Sequence, residues 1–298
     1  MAGSGELAGP VSLPGPAVSL LLVWMLLLSI GLQGIAMLEI TQLVKRYGRN
    51  DPVLKGLDLT VEGNSVVSIV GASGAGKSTL LRCINRLIEP SSGSIKLNGD
   101  ELSNLHGQAL RQARRRIGMV FQGFNLIDRL TVMENVLAGR LGYVSFLQAW
   151  RRRFPQQDIE RAFELMERVG IAQYANKRAD ELSGGERQRV GVVRALMQEP
   201  DILLADEPTA SLDPVTSEQI MKLMHSLAHE LSLPVLINIH NVAQARTYTE
   251  RIVGLRHGHM IFDGSPAQFD KAALEEIYGG IEAPDETTAS ATAEEHHG

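Results

Sequence analysis

Apolar and polar residues alternate through MLEITQLVKRYG (residues 37–48), the period of a strand with one buried face, and GRNDP then supplies a turn. VLKGLDLTVEGN (53–64) repeats the alternation. SVVSIVG (65–71) breaks it: a short β-branched run predicts a strand buried on both faces of a parallel sheet. GASGAGKSTLLRCINRL then passes from glycines into helical periodicity, and GSIKLNG (93–99) returns to strand. RQARRRIGMVFQGFNL runs from a basic helix into a strand at 117–121 and on into a loop. From Thr131 to about Leu182 the spacing is almost wholly helical, broken by GRLGY and by Pro155. LSGGERQRVGVVRALMQEP reads as loop then helix, after which the strands DILLAD, PVLINIH, RIVGLRHG and HMIFDG alternate with helical stretches. The pattern predicts an α/β core carrying a helical insertion, with no internal repeat.

Composition adds limits. The chain has 298 residues, 44% hydrophobic and 21% charged, enough for one large or two modest domains with a sizeable core. Its formal charge of −5 is localised: residues 281–298 hold acidic groups without lysine or arginine, and the remainder is balanced. That balance argues against a general nucleic-acid binder. Residues 281–298 read as a disordered acidic tail. Cys83 is the only cysteine, so no internal disulfide forms, as suits a reducing compartment. AVSLLLVWMLLLSIGLQGIAM (17–37) is long and apolar enough for a membrane span, with Lys45, Arg46 and Arg49 following and no basic residue before it. If it spans, the positive flank places the remainder on the cytoplasmic side. The competing expectation is that Met37 is the true start, which makes residues 1–36 a doubtful leader ahead of a body at 37–280.

The strand DILLAD ends on two adjacent carboxylates, Asp206 and Glu207. Such a pair is either solvated or met by something positive, because an unpartnered buried charge costs several kcal/mol. GASGAGKS, Gly71 to Ser78, fits G-x-x-x-x-G-K-[ST] between a strand and a helix. Gly71, Ser73, Gly74, Ala75 and Gly76 let successive backbone N–H groups face a phosphate chain, and the helix that follows adds its positive end. Lys77 is suited to reach the β- and γ-phosphates, Ser78 to ligate Mg²⁺, and Thr79 continues the cradle. A merely structural glycine-rich turn does not call for Lys-Ser at the helix start. In P-loop proteins the acidic strand is expected beside the first. Asp206 would then help hold Mg²⁺, Glu207 would polarise the attacking water, and the expected cofactors are ATP and Mg²⁺.

LSGGERQRV (182–190) resembles the signature motif of ABC ATPases; physically, Ser183, Gly184 and Gly185 at a helix start make a further anion site. The resemblance spans about 37–280. It implies a P-loop NTPase of the α/β class with a RecA-like parallel-sheet core, an antiparallel β subdomain and a helical insertion at about 124–182. It also implies that the signature closes over ATP held by a second copy, so that sites form in a head-to-tail homodimer. Gln122 in FQGFNL resembles the Q-loop glutamine that senses metal and water. Asp213, in Ser211-Leu212-Asp213, resembles the D-loop residue that crosses the dimer interface. His240 resembles the switch histidine that contacts the γ-phosphate, and Tyr47 resembles the aromatic that stacks on adenine. Glu186 stands where glutamine often follows the signature glycines.

Finer text is similar to the ATPase subunits of phosphonate importers: NVLAGRLG before an aromatic, arginine-rich turn, NIHNVAQARTYTERIVGLRHGHMIFDGSP, and ALEEIYGG. That resemblance implies a peripheral subunit on the cytoplasmic face of the cell membrane. Its partners would be separate transmembrane permease subunits and, indirectly, an external solute-binding protein, with no nucleic acid. The implied reaction is ATP hydrolysis coupled to uptake of phosphonate, with phosphite, phosphate or another oxyanion as near neighbours. A membrane-docked ATPase driving a cell-envelope process and a soluble ABC protein acting on DNA or ribosomes are the other classes. RQARRR (111–116) reads as a solvated face; WRRRF (150–154) reads as surface, or as a contact for the partner or for lipid headgroups.

Overall fold

The computed structural model describes residues 36–279; the expectations for the apolar leader and the acidic tail lie outside the described residues. Four strands form an antiparallel sheet in the order β2-β1-β4-β5: β1 (Ala36–Lys45), β2 (Leu54–Glu62), β4 (Ser92–Leu97) and the two-residue β5 (Asp100–Glu101). A six-stranded sheet has the order β10-β9-β3-β8-β7-β6. Its members are β3 (Val66–Val70), β6 (Ile117–Val120), β7 (Ile202–Asp206), β8 (Val235–Asn238), β9 (Arg251–Arg256) and β10 (His259–Gly264). All its pairings are parallel except β9–β10.

The helices are α1 (Lys77–Ile84), α2 (Gly107–Arg115), α3 (Val132–Leu137), α4 (Phe146–Trp150), α5 (Gln156–Arg168), α6 (Gly184–Leu196), α7 (Pro214–Glu230), α8 (Val242–Tyr248) and α9 (Lys271–Tyr278). Because side chains alternate along a strand, the large sheet feeds two cores. Val67, Ile69, Leu204 and Leu236 pack with α1 and the antiparallel sheet. Val66, Leu203, Ala205, Val235 and Ile237 pack on the opposite face with α5, α6 and α7. The sheet is therefore covered on both faces, which explains why β3, β7 and β8 carry uninterrupted buried runs.

Three points correct the sequence reading. β7 does not lie beside β3; β8 stands between them and pairs with both. The stretch from Thr131 to Leu182 is less continuously helical than its spacing suggests. It holds α3, α4 and α5, with short 3₁₀ turns at Ala138–Arg140, Ala172–Tyr174 and Ala179–Glu181. Its neck is closed by Val132 N–H to Lys177 O (2.9 Å), Met133 N–H to Ala175 O (3.0 Å) and Ala179 N–H to Leu130 O (3.0 Å). The basic segment 111–116 is only partly solvated: Arg111 is exposed, whereas Arg114, Arg115 and Arg116 are half-buried. Arg114 donates to the Asn85 and Arg86 carbonyls, Arg116 pairs with Asp100 and Asp201, and Arg115 lies over the Tyr143 ring.

Candidate nucleotide site

The loop from Gly71 to Gly76 leaves the buried end of β3 and enters α1. Gly71 adopts φ +149°, and a Cβ there would stand 2.3 Å from the Leu255 carbonyl oxygen. Gly76, the N-cap of α1 at φ +108°, faces the Val53 carbonyl at 3.1 Å from a would-be Cβ. Backbone bonds from Gly258 N–H to Ala75 O (3.2 Å), Lys55 N–H to Gly258 O (2.9 Å) and Val53 N–H to Lys45 O (2.7 Å) tie the loop to the β1–β2 hairpin. Tyr47 lies in that hairpin's turn, 42% exposed, with the Lys45 ammonium 4.8 Å from its ring centre. The loop thus has walls of backbone, while Ser73 and Gly74 remain exposed at its tip and Thr79 is half-buried in α1.

Lys77 is buried and folds back over the loop, donating to the Gly71 carbonyl (2.6 Å) and the Ala72 carbonyl (3.2 Å). Burial pulls its pKa below the ordinary lysine value, and the carboxylates of Glu207 and Asp206 oppose that shift. A desolvated ammonium held against two carbonyls is a donor ready to exchange them for phosphate oxygens.

The two carboxylates at the end of β7 have different surroundings. Asp206 is 2% exposed and accepts from Asn238 Nδ2 (2.9 Å) and from Arg82 (3.3 Å). The same Asn238 amide donates to Ser78 Oγ at 3.2 Å, so one side chain on β8 spans the P-loop serine and the strand-end aspartate. Asn238 ends the apolar run of β8, two residues before His240, and the sequence around it does not show which groups its side chain meets. Its own Oδ1 is buried and without a hydrogen-bond partner. Oxygen donors on Ser78 and Asp206 beside an unsatisfied amide oxygen suit a hard, partly hydrated cation such as Mg²⁺.

Glu207 follows with φ +50°, a strained value for a non-glycine residue and a common mark of functional geometry. Its N–H donates to Asn238 O (3.2 Å), and its Oε1 accepts from His240 Nε2–H at 2.6 Å. His240, just past the end of β8, therefore fixes the direction of the Glu207 carboxylate. Both line an open cavity of about 560 Å³ with Leu212, Asn241 and Gln244. Gln122, two residues past β6, is exposed and makes no hydrogen bond to Ser78 or Asp206 among the described residues. The next residues connect it to α6: Arg194 donates to the Phe124 carbonyl at 2.8 Å and to the Asn125 carbonyl.

Ser183 is the N-cap of α6 in a capping box. Its hydroxyl accepts from Glu186 N–H (3.4 Å) and donates to the Glu186 carboxylate (2.7 Å), which also accepts from Ser183 N–H (2.8 Å). Burial pushes the Glu186 carboxyl up, but these bonds outweigh it and hold the group below its ordinary value. A glutamate at this place thus has a defined structural task. Gly184 and Gly185 let α6 approach α7 closely: Cβ atoms there would meet Leu212 at 3.0 Å and Thr216 at 2.4 Å. Asp213 caps α7 by accepting from Thr216 N–H (3.0 Å), which with other bonds lowers its pKa. Among the described residues, no hydrogen bond or ion pair joins Ser183–Gly185 to the Gly71–Ser78 loop. Within one chain the start of α6 and the start of α1 therefore make no direct polar contact.

A family model described as ABC transporter matches residues 54–210. The chain is 68% identical to the phosphonates import ATP-binding protein PhnC 1 of Ruegeria sp. (strain TM1040), over 86% of this chain and all of that protein. It is 59% identical to the phosphonates import ATP-binding protein PhnC of Bordetella parapertussis, over 82% of this chain and 96% of that one. Among solved structures, a dimeric post-hydrolysis state of an ATP-binding cassette bound to ADP and Pi superposes with a TM-score of 0.66. It is 34% identical, covering 77% of this chain and 99% of the other. A glycine loop and a strand-end aspartate joined through one amide, with the match over the full length of a relative, place the chain: it belongs to the ABC transporter family, among the phosphonate import ATP-binding proteins.

Proposed function

We propose that this chain hydrolyses ATP to energise an importer for phosphonates, and that each active site is completed by a second copy. The observation that carries the hydrolytic part is the array Ser78–Asn238–Asp206 continuing into Glu207–His240, with Lys77 beside it. Lys77 exchanges the Gly71 and Ala72 carbonyls for the β- and γ-phosphate oxygens, and the loop N–H groups bind the rest of the chain of phosphates. Tyr47 stacks on the adenine. Ser78, Asp206 and Gln122 are the residues that would hold Mg²⁺, which when bound neutralises charge on the phosphate oxygens. Glu207, aimed by His240, takes a proton from the attacking water; that oxygen bonds to the γ-phosphorus as the bond to the bridging oxygen breaks, leaving ADP and phosphate.

The dimeric, ADP- and Pi-bound state of a similar cassette, together with a capped α6 N-terminus that makes no polar contact with its own glycine loop, supports completion in trans: Ser183, Gly184, Gly185 and Asp213 of the second copy meet the nucleotide. Separate permease subunits are the membrane partners, with an external solute-binding protein delivering the solute. Peripheral docking on the cytoplasmic face is supported by an exposed apolar set in the helical insertion. Phe146 is 85% and Trp150 72% exposed, with Leu147 and Tyr143 near them in sequence. No helix of the described residues is long and apolar enough to cross a membrane.

Uptake by vesicles holding this chain and its co-encoded permease, supplied with binding protein and a panel of oxyanions, tests the reading. ATP-dependent phosphonate uptake that is lost with Lys77→Ala is expected; uptake of an unrelated solute alone contradicts the phosphonate assignment.

A further inference from the structure

The geometry points to a transition-metal site of the zinc class, formed by His225, His229 and Glu250, at the edge of the molecule away from the nucleotide loop. His225 and His229 are one turn apart on α7 and so project from the same face of a rigid helix. Glu250 lies between α8 and β9, and its Oε1 stands 3.0 Å from His229 Nε2 and 3.7 Å from His225 Nδ1. The two rings are 4.5 Å apart at 68°, and one donor atom from each of the three residues lies within 4.8 Å of the others. Zinc bonds of about 2.1 Å in a tetrahedron put neighbouring donor atoms about 3.4 Å apart. The two measured separations bracket that value.

The carboxylate is also held from behind. Glu250 Oε2 accepts from Val66 N–H at 2.6 Å, which fixes the carboxylate and leaves Oε1 for a cation. His225 Nδ1–H donates to the Tyr248 carbonyl at 3.1 Å; ligation through Nδ1 gives up that bond and places the ring proton on Nε2. Two imidazoles and one carboxylate select zinc, nickel or copper ions over Mg²⁺ or Ca²⁺, and a fourth position stays open to water. Glu250 is anchored at the first residue of β3, whose far end carries the glycine loop about 16 Å away along the strand. The site is therefore distinct from the one that binds nucleotide. A cation there ties the end of α7, the helix capped by Asp213, to the start of β3.

Cobalt titration of the untagged full-length chain, followed by visible absorption and thermal unfolding, tests the site. One equivalent of Co²⁺ with the intense bands of tetrahedral ligation, a raised Tm, and displacement by Zn²⁺ are expected. His229→Ala, and separately Glu250→Gln, which retains an acceptor for Val66 N–H, abolish the bands and the Tm gain while metal-free unfolding remains cooperative. His296→Ala/His297→Ala, in the sequence's terminal histidine pair, leaves them intact, as does Asp206→Asn. Absence of stoichiometric binding overturns the inference. So does binding that survives His229→Ala or disappears with the terminal histidines.

Discussion

Gly71→Ala should damage the chain far more than Gly74→Ala, although both place a methyl group on the same loop. At Gly71 the new Cβ would stand 2.3 Å from the Leu255 carbonyl oxygen and 3.3 Å from the Ala75 Cβ. A carbon–oxygen contact is ordinarily about 3.3–3.6 Å, so the backbone must open by about 1 Å. Neither side yields readily, because β3 and β9 are paired in register with Val70 opposite Gly254. Overpacking costs about 1–3 kcal/mol. Holding alanine at φ +149° adds about 1–3 kcal/mol. The total is about 2–6 kcal/mol, or roughly 5–20 °C in Tm for a domain of this size. Gly74 also has positive φ, +81°, but nothing lies within 4 Å of its would-be Cβ, so only backbone strain of about 1–2 kcal/mol applies. Differential scanning fluorimetry without nucleotide reads both shifts, and a fluorescent ATP analogue reads binding, which Gly71→Ala weakens further because its carbonyl positions Lys77. A Gly71→Ala shift no larger than that of Gly74→Ala would refute the close-approach argument.

Glu207→Gln retains an acceptor for His240 but not a base; ATP binding persists while steady-state hydrolysis falls at least about 100-fold, and an unchanged rate rules out Glu207 as the base. Asn238→Leu keeps the volume but removes the donor shared by Asp206 and Ser78. The nucleotide-free chain loses about 1.5–3 kcal/mol, and Mg²⁺–ATP raises its Tm by less than it does for wild type, because the amide oxygen beside the metal position is gone; chemical denaturation and fluorimetry with and without ligand check both parts. Burial pushes the Cys83 thiol up to about 11, against the pull of Lys45 and Arg86, and the side chain is fully enclosed. Thiol reagents at neutral pH label it only on unfolding, so fast labelling of the native chain contradicts that packing.

The site was legible where local chemistry forces a local pattern. A backbone phosphate cradle requires glycines at fixed offsets before Lys77 and Ser78, and a carboxylate at the end of a buried run stands out against its apolar neighbours. What depends on long-range pairing was not legible. Nothing local in VLIN shows that β8 separates β3 from β7, and Asn238 joins Ser78 to Asp206 only because of that order. The engagement of Arg114 and Arg116 is hidden for the same reason: their partners, Asn85, Arg86 and Asp201, are distant in sequence. The capping box at Ser183 is a local signal, Ser-x-x-Glu, and because glutamine accepts the same bonds it also accounts for glutamine often standing where Glu186 does.

Sedimentation of Glu207→Gln with Mg²⁺–ATP, compared with the same chain carrying Ser183→Asp, weighs the composite site most directly. Aspartate is as good an N-cap as serine, so α6 survives while a carboxylate faces the incoming phosphate. The parent sediments as an ATP-dependent dimer, and the double variant binds ATP yet stays monomeric. Dimers that persist with Ser183→Asp, or a parent that binds ATP and never dimerises, would contradict nucleotide held between two copies.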